Sequence, residues 1–346
     1  MKRPFIKKLL IIAISSLIIT IGVKLHSVYQ FPKVMNWDHK QLQLIDDKTK
    51  NFSFAVLGDN RNSVDEFIHL INTINSDDDI LFSIDIGDLV GNGETRKYML
   101  FIDQVKRFKK PLLTAIGNHD IKNYRHYFTE ENGRENYYNV FGNFYYSLAI
   151  GDAYFIILDN ADEQNIDIQQ MTWLKEELEK SLKYKYRFIF MHVPLFDPRV
   201  EPPTIGHAMY DINSAKQLNS IFDKYNITML FTSHIHSYYR GEWGKTPYII
   251  TGGAGAPLYG NNPEHSFYHY IKVSVSGKGI MYEVKKITPF HDSTVNRFID
   301  GIHDAWKYIY YFIVFQYLYI MFWIIILYVF VYLFFSKKNR KDQTKV

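Results

Sequence analysis

Five places along the chain set a side chain that can hold a metal ion or move a proton directly behind a short apolar run. Phe54-Ala55-Val56-Leu57-Gly58 stops at Asp59, and Ser83-Ile84-Asp85-Ile86-Gly87 stops at Asp88. Leu112 to Gly117 runs into Asn118-His119-Asp120, Phe188 to Met191 into His192, and Met229 to Ser233 into His234-Ile235-His236. Short apolar runs bounded by glycine predict buried strands, and residues just past strand ends line the ligand crevice of an α/β sheet. One Gly-Asp is also an ordinary turn opening. Recurrence of the arrangement at successive strand ends points instead to a shared site. Cysteine is absent, which removes disulfides and thiolate ligands. The donors are then carboxylate, amide and imidazole, a set that suits Mn, Fe, Zn or a similar divalent ion.

Strands alternate with helices from Asn51 to about Ile287. Helical spacing covers Val64 to Ile74, Tyr98 to Phe108, Met171 to Leu182 and Ile212 to Phe222, the last with Asp211 as a candidate cap. Tyr145 to Ile150 and Tyr154 to Leu158 read as paired strands about the Gly151-Asp152 turn, and short strands follow at Tyr248 to Thr251, Phe267 to Val275 and Ile280 to Val284. The net charge of +4 is small and the basic residues crowd the two apolar termini, so no nucleic-acid-binding face is expected.

Those termini predict membrane attachment. Lys2, Arg3, Lys7 and Lys8 precede the apolar run Leu9 to Val23, which reads as an uncleaved signal anchor in preference to a cleaved peptide, since no small-residue cleavage site follows. Tyr308 to Phe335 contains no charged residue; as a helix it would measure about 42 Å, against a hydrocarbon core of about 30 Å. Lys337, Lys338, Arg340 and Lys341 follow it. Basic clusters at both ends predict cytoplasmic termini and an extracytoplasmic middle domain. The expected organisation is an anchor at 1–30, a stalk at 31–50, a catalytic domain at 51–290, a linker at 291–305, a spanning helix at 306–336 and a basic tail at 337–346. Oligomeric state is left open.

The blocks Gly58-Asp59, Gly87-Asp88, Gly117-Asn118-His119-Asp120, His192 and His234-Ile235-His236, in that order, resemble the calcineurin-like metallophosphoesterase superfamily over roughly Phe52 to Val284. The resemblance implies a four-layer α/β/β/α sandwich, two mixed sheets flanked by helices, with two divalent metal ions at the strand ends. It implies hydrolysis of phosphate mono- or diesters by a metal-bound hydroxide. Carried over by position, Asp88 bridges the ions, Asn118, His192 and His234 complete one set, and Asp59 and His236 serve the other. His119 is implied as general acid or transition-state donor, not itself a ligand, oriented by Asp120. Two cations neutralise the phosphoryl oxygens and lower the pKa of bound water, and an imidazole at the leaving oxygen adds about a hundredfold or more.

One position departs from the pattern. The residue two after Asp59 is a histidine ligand in most members and is Arg61 here, which is never deprotonated and cannot coordinate. Arg61 is expected to clamp substrate phosphate; the other outcomes are replacement by Asn60 or Glu94, or a weak metal set. The tyrosine that purple acid phosphatases carry three residues after the bridging aspartate is Gly91 here. His207 is a substrate contact or a surface residue, Asp85 a buried paired carboxylate or an edge residue, and Asn160 a turn residue. His265, His269, His291 and His303 match no motif. A membrane position suits a lipid-linked or envelope phosphate ester, and a soluble phosphate or nucleotide is the competing substrate. The reading from another class is a non-catalytic metal-binding or scaffold protein on the same fold.

Overall fold

The computed structural model describes residues 35–125, 130–200 and 205–287, with scattered residues at 11–22 and 306–332. The chain divides into two units, residues 1–33 with 293–346, and residues 34–292. In the first unit every described residue is helical. Most of Leu9 to Val23 and of Tyr308 to Phe335 lies outside the described residues. Among the described residues no helix is long and apolar enough to cross a membrane.

The second unit runs α1 (Trp37–Leu42), β1 (Phe52–Leu57), α2 (Asp65–Asn75), β2 (Ile80–Asp85), α3 (Thr95–Val105), β3 (Leu112–Thr114), β4 (Tyr124–Arg125), β5 (Glu130–Glu131), α4 (Gly133–Phe141), β6 (Tyr146–Ile150), β7 (Ala153–Ile157), α5 (Ile168–Ser181), β8 (Tyr186–Phe190), α6 (Ile212–Lys224), β9 (Met229–Thr232), β10 (Tyr238–Trp243), β11 (Thr246–Thr251), β12 (His269–Ser276) and β13 (Gly279–Lys286). A five-stranded sheet has the order β13-β12-β1-β2-β3, and a six-stranded sheet the order β10-β11-β9-β8-β7-β6. Both are mixed. β1, β2 and β3 are parallel, as are β7, β8, β9 and β11, so all seven deliver their C-terminal ends to site loops.

Side chains alternate across a strand, and that alternation divides the core. Phe54 and Val56 of β1, Phe155 and Ile157 of β7, Phe188 and Phe190 of β8 and Phe231 of β9 fill the space between the sheets. Phe54 stacks on Phe82 of the neighbouring strand β2 at 5.5 Å and meets Phe155 edge-on at 5.2 Å, the latter contact joining the two sheets. The intervening residues Ile156, Ile189, Leu230 and Ile250 face outward onto Leu174 and Leu178 of α5 and Leu218 and Phe222 of α6. On the five-stranded sheet, α2 and α3 are the crossovers that parallel neighbours require, and Phe67 and Phe101 stack between them. The two mixed sheets flanked by helices match the expected sandwich.

Two features depart from the sequence reading. Residues 37–42, expected as part of a stalk, form α1 on the edge of the domain: Trp37 Nε1 donates to Leu112 O at 2.9 Å, and the buried Asp38 accepts from Thr114 N and Thr114 Oγ1, both at 2.8 Å. The polarity that suggests a solvated segment here satisfies the backbone of edge strand β3. The helix α4 also went unread; Asn132 caps it by accepting from Arg134 N and Glu135 N.

Candidate metal centre

The site forms where the two sets of parallel strand ends meet. Asp59 follows β1, Asp88 follows β2 and Asn118 follows β3, while His192 follows β8 and His234 and His236 follow β9. Asp59, Asp88 and His234 have φ of +62°, +56° and +66°, a region that costs about 1 kcal/mol or more for such residues and gathers at functional sites. Gly87, with φ of +99°, admits the close packing that this needs: a Cβ there would lie 2.8 Å from both Gly117 N and His192 Nδ1.

The six proposed ligands fall into two groups sharing Asp88. Asp59, Asp88 and His236, all buried, offer ligand atoms within 4.8 Å of one another. On the other side, Asn118 Oδ1 lies 3.1 Å from His192 Nε2 and 3.2 Å from His234 Nδ1, and Asp88 Oδ1 lies 3.3 Å from His192 Nε2.

Partner chemistry shows that these atoms suit a cation. His192 Nδ1 donates to Ile86 O at 3.0 Å, so in the neutral ring Nε2 carries a lone pair. Asn118 donates from Nδ2 to Glu163 Oε1 at 2.7 Å, which turns its Oδ1 inward. A lone pair on His192, a carbonyl-type oxygen on Asn118 and a carboxylate oxygen on Asp88 therefore face one another. His236 Nδ1 likewise donates to Pro257 O at 2.7 Å, and its Nε2 lies 3.5 Å from Asp59 Oδ1. Neither of those two buried atoms has a hydrogen-bond partner among the described residues. Acceptors converging on acceptors are unfavourable unless a cation or proton lies between them. The residues fit divalent ions.

Burial pushes the Asp59 carboxyl up, but His236, His192 and Arg61 outweigh it and hold it far below the usual carboxylate range, so it stays ionised; against the effect of burial, Asp59 in turn raises the pKa of His236. Burial takes His234 well below its ordinary value, helped by His192, and leaves it a neutral donor. Asp120 and Asp85 move the other way: burial raises each, and carboxylate neighbours raise them further.

His119, Asp120, Arg61 and His207 gather around the same strand ends. His119 reaches the site, its backbone N donating to Asp88 Oδ1 at 2.8 Å, and its ring meets Gly91 O at 2.8 Å and Lys122 Nζ at 2.8 Å. Asp120 does not orient that ring directly. Its carboxylate accepts from Gly117 N at 2.8 Å, Val90 N at 3.1 Å and Leu89 N at 3.3 Å, pinning together the loops that carry Asp88 and His119. Arg61 donates from Nε and Nη2 to Asp88 Oδ2, at 2.9 and 2.7 Å, so its guanidinium is already seated on the shared carboxylate. Asn60 donates to Asp85 Oδ2 at 2.8 Å, and Glu94 pairs with Arg96 and Lys97. Asp85 is thus the buried alternative, held by an amide. Asn160 does more than turn the chain, bonding Val193 N and O across two site loops. His207 is exposed with its ring 5.4 Å from that of His234, at the mouth of the site. Among the unassigned histidines, His265 stacks on Tyr239 and His269 is fully buried; His291 and His303 lie outside the described residues.

Sequence reasoning missed Glu163, Ser233, Lys122 and Tyr259. Glu163 aims Asn118, the Ser233 hydroxyl donates to Asp59 Oδ2, and Tyr259 stacks on His236 at 4.4 Å. Ser233 and Lys122 had a usable signal, being one residue before His234 and three after His119. Glu163 and Tyr259 come from loops whose paths the sequence does not display.

Residues 52–238 match the profile of the family described as calcineurin-like phosphoesterase. The chain is 24% identical over 161 residues to the human serine/threonine-protein phosphatase CPPED1, covering 44% of this chain and 50% of that one. It is 25% identical over 265 residues to a phosphoenolpyruvate phosphatase from Allium cepa, covering 70% and 51%. The chain thus spans about half the length of these curated relatives. Among solved structures, the purple acid phosphatase PPD1 from yellow lupin superposes with a TM-score of 0.54 at 17% identity, covering 69% of this chain and 52% of that one, a likeness of fold.

Proposed function

Because this chain belongs to the calcineurin-like phosphoesterase family, we propose that it is a metal-dependent hydrolase of phosphate esters whose centre holds two divalent ions. The observation that carries this reading is the convergence of ionised or lone-pair donors from Asp59, Asp88, Asn118, His192, His234 and His236 on one buried cleft. Asp59, Asp88 and His236 would hold one ion, and Asp88, Asn118, His192 and His234 the other. When bound, the ions would supply charge neutralisation and an activated water. Mn, Fe and Zn all suit this donor set.

The protein's own groups do the positioning. Asp120 fixes the loops on which Asp88 and His119 sit, and Glu163 keeps the oxygen of Asn118 turned inward. His119 stands at the cleft and would act as the proton donor to the leaving oxygen in the state protonated at Nε2, the atom that otherwise accepts from Lys122. Arg61 and His207 face the substrate side, Arg61 from its seat on Asp88 Oδ2.

Membrane attachment and an extracytoplasmic catalytic domain belong to the same proposal. Their support is the charge-free stretch Tyr308 to Phe335 and the basic clusters flanking both apolar segments. A lipid-linked or envelope phosphate ester is the substrate that this placement favours. Protease added to intact cells should digest the middle domain; complete protection would overturn the orientation.

The Arg61–Asp88 pair favours one competing reading, a scaffold in which a guanidinium stands in for a metal ion. Purified full-length protein with added Mn should hydrolyse p-nitrophenyl phosphate or bis-p-nitrophenyl phosphate, and His119→Ala should lower kcat by about a hundredfold or more with metal content unchanged. Absence of turnover on both esters, with no metal retained, would leave the scaffold.

A further inference from the structure

Building on the phosphoesterase reading, we propose that Lys122 and Arg61 form a two-cation rim that binds the terminal oxygens of the substrate, making the preferred class the phosphate monoester dianion over the diester.

One carboxylate organises both cations. Arg61 binds Asp88 Oδ2 through Nε and Nη2, and its Nη1 has no hydrogen-bond partner among the described residues. Its side chain is 19% exposed, so the guanidinium opens toward the cleft mouth. On the other oxygen, Asp88 Oδ1 accepts from His119 N, and the ring of the same histidine holds Lys122. Arg61 is thereby held on one oxygen of Asp88, and Lys122 on the ring of the residue whose backbone N binds the other.

The tautomer of His119 fixes the direction of the Lys122 contact. Gly91 O can only accept, so His119 Nδ1 carries the ring proton and Nε2 presents a lone pair. The Lys122 ammonium spends one of its three hydrogens there, at 2.8 Å, and has two for an anion. The turn that closes from Lys122 N to His119 O, at 3.2 Å, places the base of the side chain beside the ring. Lys122 is itself exposed, so an incoming ligand reaches it without rearrangement of the core.

Charge then selects the ligand. A phosphate monoester carries about −1.5 to −2 charges near neutral pH, since its second pKa is about 6, and a diester carries one. Coulomb attraction to a fixed cation scales with ligand charge. Arg61 stands where the resembled family has a neutral histidine, which adds one positive charge to the rim, and Lys122 adds another. A rim of two monocations favours the dianion.

The test compares full-length wild type with Lys122→Gln and Lys122→Arg, each loaded with Mn and checked for unchanged metal content. Calorimetry with inorganic phosphate and with dimethyl phosphate reads charge selectivity independently of turnover. Lys122→Gln should weaken phosphate binding about tenfold, the loss of one charge-assisted hydrogen bond, and change dimethyl phosphate binding less than about threefold. Lys122→Arg should retain most of the phosphate affinity. With p-nitrophenyl and bis-p-nitrophenyl phosphate, the ratio of kcat/KM should shift toward the diester in Lys122→Gln. Equal effects on both anions, or none, would overturn the inference even if both esters are hydrolysed. Hydrolysis of neither ester by wild type, alongside Lys122-dependent phosphate binding, would overturn the phosphoesterase reading and leave the cation rim standing.

Discussion

The two sheets feed one cleft with different chemistry. The five-stranded sheet contributes oxygen donors, Asp59, Asp88 and Asn118, and the six-stranded sheet contributes imidazoles, His192, His234 and His236. On the oxygen side the aspartates sit on strained backbone and carry the negative charge, with Arg61 held against them. Nitrogen donors arrive instead as rings, those of His192 and His236 oriented by carbonyl acceptors and that of His234 driven neutral by burial. Each side is also oriented by the other: His192 donates to Ile86 O behind β2, and Ser233, behind β9, donates to Asp59. Neither sheet alone presents a finished half-site.

That contrast can be broken most severely at Asp88, the one residue common to both groups. Asp88→Asn removes the shared charge and should cut kcat/KM by on the order of a thousandfold or more, with bound metal measured by plasma mass spectrometry falling in parallel. Retention of full metal content would mean that the two sides bind independently.

Where the sheets meet behind the site, His269 of β12 packs against Gly253, just past β11. Burial depresses its pKa from 6.5 to about 4, against the help of its bond to Phe267 O. Between those values the unfolded chain binds a proton that the folded chain does not. The stability contribution is therefore complete above pH 6.5 and is lost as pH falls toward 4, amounting to about 3 kcal/mol. Urea unfolding of wild type and His269→Gln across that window should show a shallower pH slope in the variant. Identical slopes would detach His269 from the acid sensitivity of this seam.

A smaller effect separates the sides more finely. Glu163→Ala removes the acceptor that aims Asn118 and should weaken metal affinity by about 10- to 100-fold on the Asn118 side alone, read as the loss of one of two binding phases. Loss of both phases would contradict the two-group assignment. Smallest is Arg61→Ala, expected to raise KM about tenfold with metal content unchanged. Lost metal with unchanged KM would make Arg61 a structural brace of the oxygen side.

What the sequence made legible follows from the same division. Strand-end donors are readable because the apolar run and the polar residue that ends it are contiguous, as at Leu57-Gly58-Asp59 and Met191-His192. The helices with a clear apolar face, and the Asp211 cap of α6, were readable for the same local reason. Residues that aim those donors were hidden: Glu163 lies 45 positions from Asn118, so its role exists only once the loops after β3 and β7 meet in space. The α1 segment was misread because Asp38, polar in sequence, is buried against a strand edge that only the fold creates.

The aromatic filling between the sheets has a consequence for the spacing of the donors. Phe54, Phe155, Phe188, Phe190 and Phe231 act as a spacer whose thickness sets how far the oxygen-bearing and nitrogen-bearing loops stand apart. A change of volume deep in that filling touches no donor atom, so it can reach the cleft only by shifting the loops that carry the donors.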